Sequence, residues 1–258
     1  MTPETNTMNR SAIDRAAGLL FEARRSGIAL AALEPDCRPA TIEQAHAIQD
    51  ALVLRTDEAV KGWKVAGLEP GKVTRGAIIG SRFWKSPARI KASDMSLLGI
   101  EGEIAFRLDE GLPPRDQPYS MDEVIPVVTA LPAIEIVDSR FQSYRGTDVL
   151  DRLCDCMSNG GLICGEPRPD WREFDLSRIS VRLLADGERI TEGEGGHANG
   201  DPLLPLLALA NLLRTGPGLG ARQVVTTGTF TGLTFAKPGQ TIRVEFAGFG
   251  HVEVVLEA

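Results

Sequence analysis

Residues 100–108 read IEGEIAFRL, a β-rich run in which Glu101 and Glu103 stand two positions apart. Residues two apart in a β-strand project from the same face, so we expect the two carboxylates side by side. Adjacent like charges repel, and burying them costs several kcal/mol unless a cation neutralises them. Two interpretations follow from this pattern: the glutamates face water, or they are buried around a positive charge.

Similar β-rich runs continue from residue 61 to the C-terminus, where glycine is frequent. They cover residues 61–68, 100–108, 132–138, 160–165, 178–185, 223–229, 241–246 and 250–256. Asp186-Gly187 predicts a hairpin turn. Two helices are predicted among the strands: one over 121–130 with a Ser120/Glu123 capping box, and one opened by Asp201-Pro202 that ends near Thr215. Many strands with few helices argue against a doubly wound parallel sheet.

The N-terminal part has a different sequence pattern, with apolar residues at helical spacing. Residues 9–26 predict an amphipathic helix that ends at Gly27, and a second helix begins at Thr41, with Gln44 completing a capping box. We therefore predict an α+β fold. A helical N-terminal segment over residues 1–60 precedes a catalytic β-rich domain over 61–258, built as a mixed, mostly antiparallel β-roll or sandwich.

Bulk composition excludes several classes of function. The chain has 258 residues and a formal net charge of −7 without a basic patch, so a nucleic-acid partner is not expected. It contains no apolar run of about 18 residues that could span a membrane. The N-terminal MTPETNTMNR has no hydrophobic signal core, so we expect a cytoplasmic protein. The four cysteines (Cys37, Cys154, Cys156 and Cys164) are expected to be reduced thiols.

A third acid changes the interpretation of the glutamate pair. Glu135 lies in ALPAIEIVDSR, a run otherwise rich in Ala, Ile and Val, where a carboxylate requires a partner. Three carboxylates with neither Cys nor His beside them are hard oxygen ligands, which favours Mg²⁺ or Mn²⁺ over zinc. Nearby Asp138 and Arg140 form either an ordinary ion pair or part of the same site.

At these residues the sequence resembles a known family. IEGEIAFRL, PAIEIVDSRF, the Ser158-Asn159-Gly160 stretch and VVTTGTFTG are similar to the 2-hydroxypenta-2,4-dienoate (2-oxopent-4-enoate) hydratases and to their sister 4-oxalocrotonate decarboxylases. Both belong to the fumarylacetoacetate hydrolase superfamily. The similarity runs from Lys61 to the C-terminus, and the two N-terminal helices also fit. It implies a β-roll of the fumarylacetoacetate hydrolase C-terminal type.

The resemblance also implies a set of site residues. Metal ligands would be Glu101, Glu103 and Glu135; catalytic residues Lys64, Asp155 and Ser158; and substrate-binding residues Thr227, Gly228 and Thr229, with Arg82 as a further candidate. From the residues alone, Lys64 in GWKVAG is either a snorkelling edge residue or a buried cation. The segments CDCMSNGG and TTGTFTG could otherwise be ordinary turns rich in small residues.

Departures from the family pattern bear on the chemistry. The loop RGAIIGSRFW, residues 75–84, lacks the acid that the family often carries there, and Cys156 stands where Asn is common. Arg82 in that loop is either a surface residue or a binding group for a distal carboxylate. Of the three histidines, His46 and His251 are expected to be structural, and His197 to border the pocket at most. No histidine lies between residues 47 and 196, which counts against C–C hydrolysis by a His–Glu pair.

The resemblance predicts the function as follows. The protein is a divalent-metal-dependent hydratase that adds water to 2-hydroxypenta-2,4-dienoate, giving 4-hydroxy-2-oxopentanoate in the catabolism of aromatic compounds. The alternatives are a 4-oxalocrotonate-type decarboxylase, a fumarylacetoacetate-type C–C hydrolase and a non-catalytic relative. The expected partners are a small 2-oxo acid or dienol substrate, further copies of the chain in a homo-oligomer, and a partner enzyme of the same pathway.

Overall fold

The computed structural model describes residues 8–258; residues 1–7, which begin the predicted 1–60 segment, lie outside the described residues. The helices are α1 (Arg10–Ser26), α2 (Ile42–Thr56), α3 (Met121–Val124), α4 (Val149–Cys154) and α5 (Leu203–Leu213). Asn9 caps α1 by accepting the Ala12 N–H at 2.8 Å, and Gly27 ends the helix with a φ of 71°. Thr41 caps α2. Both predicted N-terminal helices are therefore present.

The β-strands form two sheets. They are β1 (Val60–Ala66), β2 (Thr74–Ile79), β3 (Phe83–Lys85), β4 (Ala88–Lys91), β5 (Gly99–Leu108), β6 (Val128–Val137), β7 (Asn159–Cys164), β8 (Ser180–Ala185), β9 (Glu188–Glu194), β10 (Val224–Thr229), β11 (Thr234–Phe235), β12 (Thr241–Phe246) and β13 (Gly250–Glu257). The larger sheet has the order β2-β1-β10-β5-β6-β7-β3, with β11 added to β5. The smaller has the order β4-β13-β12-β8-β9.

Most neighbouring strands are antiparallel, and the exceptions are the parallel pairs β1–β10, β3–β7 and β4–β13. The predicted mixed, mostly antiparallel arrangement is confirmed. Asp186 and Gly187, with φ values of 52° and 81°, form the predicted hairpin turn between β8 and β9. Positive φ at both central positions is the requirement of a type I′ turn.

The larger sheet has two chemically different faces. On β5, Ile104 and Phe106 point into the main core, whereas Glu103 and Ala105 point to the opposite face, called here the inner face. Ala105 belongs there to a separate group, the inner apolar cluster, whose members are Ile78, Ala105, Leu131, Ala133, Leu162, Cys164 and Val224. Since Ile78 on β2 and Leu162 on β7 share this cluster across four intervening strands, the sheet must curl around its inner face.

One predicted helix is too long. The prediction of a helix over 121–130 is wrong beyond Val124: α3 is followed by a 3₁₀ turn over Ile125–Val127, and β6 begins at Val128. Pro126 lacks the N–H that continues a helix, and the β-branched residues after it favour a strand. The predicted Ser120/Glu123 capping box is present. The short helix α4 was not predicted.

Gln49 of α2 fixes the helical segment to the sheet. This fully buried side chain donates to the Arg75 carbonyl at 2.9 Å and the Leu153 carbonyl at 2.8 Å, and accepts the Ala77 N–H at 3.1 Å. It thus joins α2, β2 and α4. The division of the chain into domains at residue 60 stays a prediction. Within residues 8–258, none of the helices combines the length and apolar character needed to cross a bilayer.

Candidate active site

Three carboxylates converge on the inner face at one end of the larger sheet. Glu101 and Glu135 stand directly opposite each other on β5 and β6, and Glu103 follows two positions along β5. One carboxylate oxygen from each glutamate lies within 4.8 Å of the other two. Glu103 and Glu135 are only 2% and 1% exposed, and Glu101 is partly exposed. The acids therefore form one buried cluster with an accessible side at Glu101.

Glu103 is held by the end of β10. Its Oε2 accepts hydrogen bonds from the Thr226 hydroxyl and from the Gly228 N–H, the latter at 3.0 Å. The pairing of β10 with β5 is irregular between Thr226 and Thr229, and Gly228 has a φ of 127°. This irregularity turns the Gly228 N–H toward the carboxylate, a backbone geometry for which glycine is suited.

Lys64 supplies a cation to the cluster. Its Nζ lies 2.6 Å from Glu135 Oε1 and donates to the Met157 carbonyl at 3.1 Å. The side chain is 13% exposed, so Lys64 is a buried cation and not a snorkelling edge residue. Burial alone would lower the pKa of Lys64, but the charges of Glu135 and Glu101 outweigh it and the pKa is raised. Lys64 therefore stays protonated.

One lysine does not neutralise three carboxylates. Burial, together with the charge of Glu135, raises the pKa of Glu101 to about 7 against the opposing effect of Lys64. Burial and the same neighbouring charge raise the pKa of Glu103 well above its usual range. Grouped hard oxygen donors with surplus negative charge are the donor set of a divalent cation such as Mg²⁺. The residues present therefore fit a hard divalent metal ion.

A strained turn lies beside the lysine. Cys156, Met157 and Ser158 have φ values of 51°, 56° and 57°, three consecutive left-handed residues without glycine. Such a conformation costs about 1–2 kcal/mol per residue and concentrates at functional sites. The turn presents the Met157 carbonyl to Lys64. The Ser158 hydroxyl is buried without a hydrogen-bond partner among the described residues.

Asp155 anchors this turn through Arg140. The fully buried Asp155 carboxylate accepts from Arg140 Nε at 2.6 Å and from the Arg140 backbone N–H at 3.1 Å. Arg140 also donates to the carbonyls of Asp155 and Asn159 at 3.2 and 3.0 Å. Asp138 pairs with Arg140 at 3.4 Å, as in the ion-pair interpretation. The structure thus surrounds Asp155 with arginine contacts, and its predicted catalytic role stays a prediction.

The remaining predicted substrate-binding residues lie in different places. Gly228 contacts Glu103, but the Thr227 hydroxyl bonds to the Ile104 carbonyl and the Thr229 hydroxyl accepts the Thr231 N–H. Arg82 lies beside Met95 and lines a cavity of about 30 Å³ together with Arg24 and Arg140. The structure does not bring Arg82 into contact with the three glutamates.

Sequence reasoning missed two residues of this neighbourhood, Thr226 and Asn159, and placed His197 at most at the border of the pocket. Thr226 bonds to Glu103, and Asn159 Nδ2 donates to Glu135 Oε1 at 3.0 Å. His197 is buried, with its Nε2 2.9 Å from the Thr227 carbonyl oxygen. Thr226 and Asn159 stand inside the two quoted motifs, so their polar side chains on buried strands were a usable signal. His197 lies on a loop thirty residues from its partner, and nothing local indicates the contact.

The curled mixed sheet with its helical N-terminal segment is the fold of the fumarylacetoacetate hydrolase superfamily, as predicted. The solved structure of 4-oxalocrotonate decarboxylase from Pseudomonas putida G7, complexed with magnesium and adipate, matches with a TM-score of 0.85 at 22% identity. The match covers 97% of this chain and 99% of that one. No family profile matches the sequence.

Two sequence relatives are more specific. The 2-keto-4-pentenoate hydratase of Paraburkholderia xenovorans LB400 is 26% identical, over 95% of this chain and 95% of its own length. A 4-oxalocrotonate decarboxylase from a Pseudomonas species is also 26% identical, over 92% of this chain and 95% of its own length. The resemblance to this pair of enzyme groups, predicted from the sequence, is confirmed.

Proposed function

We propose that the protein is a divalent-metal-dependent hydratase that adds water to 2-hydroxypenta-2,4-dienoate and releases 4-hydroxy-2-oxopentanoate. The observation that carries this proposal is the convergence of Glu101, Glu103 and Glu135 on a buried, protonated Lys64. The full-length similarity to 2-keto-4-pentenoate hydratases supports this reaction type.

The proposed ligands of the metal ion are the three glutamates, and the proposed metal is Mg²⁺ or Mn²⁺. Similar folds have been solved with magnesium and adipate, with calcium and acetate, and with Mn²⁺ and pyruvate. When bound, such an ion supplies Lewis acidity that stabilises negative charge on the 2-oxygen of a 2-oxo acid. Each of these solved complexes also contains a small carboxylate, which agrees with a 2-oxo acid substrate.

The chain's own residues have defined tasks in this proposal. Lys64 holds a positive charge where the substrate carboxylate must approach the glutamates, and so binds and orients it. The Ser158 hydroxyl, which has no hydrogen-bond partner within residues 8–258, is available to hold the water or a substrate oxygen. The inner apolar cluster continues the same face of the larger sheet beyond the glutamates, and its proposed task is to keep that side of the site apolar.

The proposed reaction has two stages. A proton moves from the 2-hydroxyl to C5 of the dienol, which gives the conjugated 2-oxo-3-enoate. Water then adds its hydroxyl to C4 and a proton to C3. Asp155 contributes by keeping the turn of Met157 and Ser158 in its left-handed conformation through Arg140.

A 4-oxalocrotonate-type decarboxylase is the second candidate, favoured by the relative named so and by the three arginines around the small cavity. Arg82 has no ion pair among the residues that the structure describes, whereas Arg24 and Arg140 share Asp155. A distal carboxylate of the substrate would pair with Arg82 in this cavity. Incubation with 2-oxohex-3-enedioate separates the two functions, because a decarboxylase releases CO₂ and a hydratase does not.

The decisive test uses the purified protein with 2-hydroxypenta-2,4-dienoate, with and without Mg²⁺, followed by product analysis. We expect 4-hydroxy-2-oxopentanoate only when metal is present. Glu103→Gln should lose metal-dependent turnover, and the control Glu110→Gln, at an exposed glutamate just beyond β5, should retain it. Turnover in chelator-treated protein at the full rate would refute the proposal, and titration calorimetry without Mg²⁺ or Mn²⁺ binding would favour a non-catalytic relative.

Two further parts of the proposal concern assembly. The protein is proposed to form a homo-oligomer and to act beside an enzyme of the same pathway that supplies its unstable dienol. Light scattering of the purified chain tests the first part, and a monomer at micromolar concentration would contradict it. The cytoplasmic location stays a prediction from the sequence.

A further inference from the structure

We propose that His197 is a positioning residue for Glu103 and acts through the peptide group between Thr227 and Gly228. This inference rests on the proposed function, in which Glu103 binds the metal ion. His197 lies in the loop between β9 and α5, is 6% exposed, and has hydrogen bonds to the Thr227 carbonyl and the Asn199 N–H rather than to the glutamate itself. The connection consists of two hydrogen bonds to one peptide group.

The first bond fixes the direction of donation. The Asn199 N–H donates to His197 Nδ1 at 3.3 Å, so Nδ1 carries a lone pair and the ring proton is on Nε2. The Nε2–H then donates to the Thr227 carbonyl oxygen at 2.9 Å. This assignment agrees with a neutral ring, since burial lowers the pKa of His197.

The second hydrogen bond is donated by the N–H on the other side of the same peptide group. The carbonyl that accepts from His197 is conjugated with the Gly228 N–H, and this N–H donates to Glu103 Oε2 at 3.0 Å. Hydrogen bonds in such a chain polarise one another, so donation from His197 strengthens the Gly228 N–H as a donor. The Gly228 N–H and the Thr226 hydroxyl together hold Oε2 of Glu103. Oε1 of Glu103 is left to bind a cation.

The imidazole, which its two hydrogen bonds orient, also packs beside an aromatic ring of the core. Its ring centroid lies 5.2 Å from that of Phe230, which packs edge-on against Phe246 in the core at 5.5 Å. A Cβ atom on Gly228 would lie 3.1 Å from His197 Nε2, at a φ where L residues are rarely found. The histidine, the glycine and the glutamate therefore form one fitted unit. Groups that orient metal ligands in this way typically contribute 10–100-fold to metal affinity.

The test measures Mg²⁺ affinity by titration calorimetry on the full chain. His197→Phe keeps an aromatic ring beside Phe230 but has no donor, and we expect its Mg²⁺ Kd to rise about tenfold. His197→Gln can donate to the Thr227 carbonyl and should recover most of that loss. Phe230→Leu removes the ring contact while keeping the hydrogen bond, so it should lower the melting temperature and leave the Kd within about twofold of wild type. If His197→Phe does not fold, His197→Met takes its place.

Kinetics supply a second readout. If His197 only orients Glu103, saturating Mg²⁺ should restore most of the turnover of His197→Phe, because the ligand itself is intact. An unchanged Mg²⁺ Kd in His197→Phe, or an equal loss in Phe230→Leu, would overturn the inference while leaving the proposed function standing. Wild-type protein that binds neither Mg²⁺ nor Mn²⁺ would overturn both.

Discussion

The ammonium of Lys64 lies 2.6 Å from Glu135 Oε1, although β10 and β5 stand between their strands in the sheet. Three strand spacings of a flat sheet amount to about 14 Å, too far for this contact without curvature. The curl of the sheet therefore brings Lys64 and Glu135 together, and their ion pair places a positive charge beside the carboxylates. The two residues are joined by tertiary structure alone.

Lys64→Met should change metal binding and turnover in opposite directions. Removal of the ammonium takes a competing cation from Glu135, so Mg²⁺ affinity should rise, on the order of tenfold. Turnover should fall by about 100-fold or more, because the substrate anion loses its orienting charge. Calorimetry and steady-state assays measure the two effects. Lys61→Met, at an exposed lysine of the same strand, is the control, and a parallel loss of affinity and turnover would contradict the assignment.

Ser158→Ala should lower turnover without lowering stability. The Ser158 hydroxyl is buried and makes no hydrogen bond to the described protein, so its removal costs the fold nothing and can stabilise it by up to about 1 kcal/mol. Urea unfolding and product formation are the measurements. Ser139→Ala is the matched control, since the buried Ser139 hydroxyl accepts the Phe141 N–H at 3.1 Å. The control should lose about 1 kcal/mol and keep its activity; full activity of Ser158→Ala would exclude a role in the reaction.

Asp155→Asn should destabilise the fold by about 3–5 kcal/mol, because it removes the negative charge that pairs at 2.6 Å with the buried guanidinium of Arg140. The midpoint of urea unfolding reports the change. Asp151→Asn, at another buried aspartate, should have a much smaller effect, because its ion pair with Arg38 is long at 3.5 Å and Arg38 is exposed. If Asp155→Asn instead kept its stability and lost turnover, the catalytic role predicted from the sequence would be supported.

His46 should make the fold sensitive to mild acid. Its Nε2 accepts the Arg75 N–H at 3.2 Å, and burial, with the nearby Arg75 charge, lowers the pKa of His46 to about 4. In the unfolded chain a histidine titrates near 6.5, so the unfolded state binds the proton first. The stabilisation is complete above pH 6.5 and is lost as the pH falls toward about 4, with a slope of at most about 1.4 kcal/mol per pH unit.

Chemical unfolding between pH 7 and 4.5 measures this dependence. His46→Gln should flatten the fall in unfolding free energy over that range. His251→Gln, at an exposed histidine on β13, is the control and should keep the wild-type dependence. A slope in His46→Gln as steep as that of the wild-type protein would show that other groups carry the acid sensitivity.

Features that depend on short-range geometry were available from the sequence. The spacing of Glu101 and Glu103 put them on one strand face, the Asp186-Gly187 turn followed from backbone preferences, and Gly27 marked the end of α1. The resemblance carried by the motifs supplied the three glutamates and Lys64. The prediction of a helix over 121–130 overlooked Pro126 and the β-branched residues after it, whose local preferences already favoured the end of the helix and a following strand.

Long-range pairing decided the rest. The register of β5 with β6 sets Glu101 opposite Glu135, and the curl of the sheet decides that these acids and Lys64 share a buried face. The left-handed backbone conformation of residues 156–158 is unfavourable for those residues. Hydrogen bonds from Arg140 to the flanking carbonyls of Asp155 and Asn159 stabilise it. The contact of His197 with Thr227 joins two loops that no periodicity relates. Strand periodicity fixes which side chains share a face, but only the closed packing of the whole chain decides which face is dry and which charges meet there.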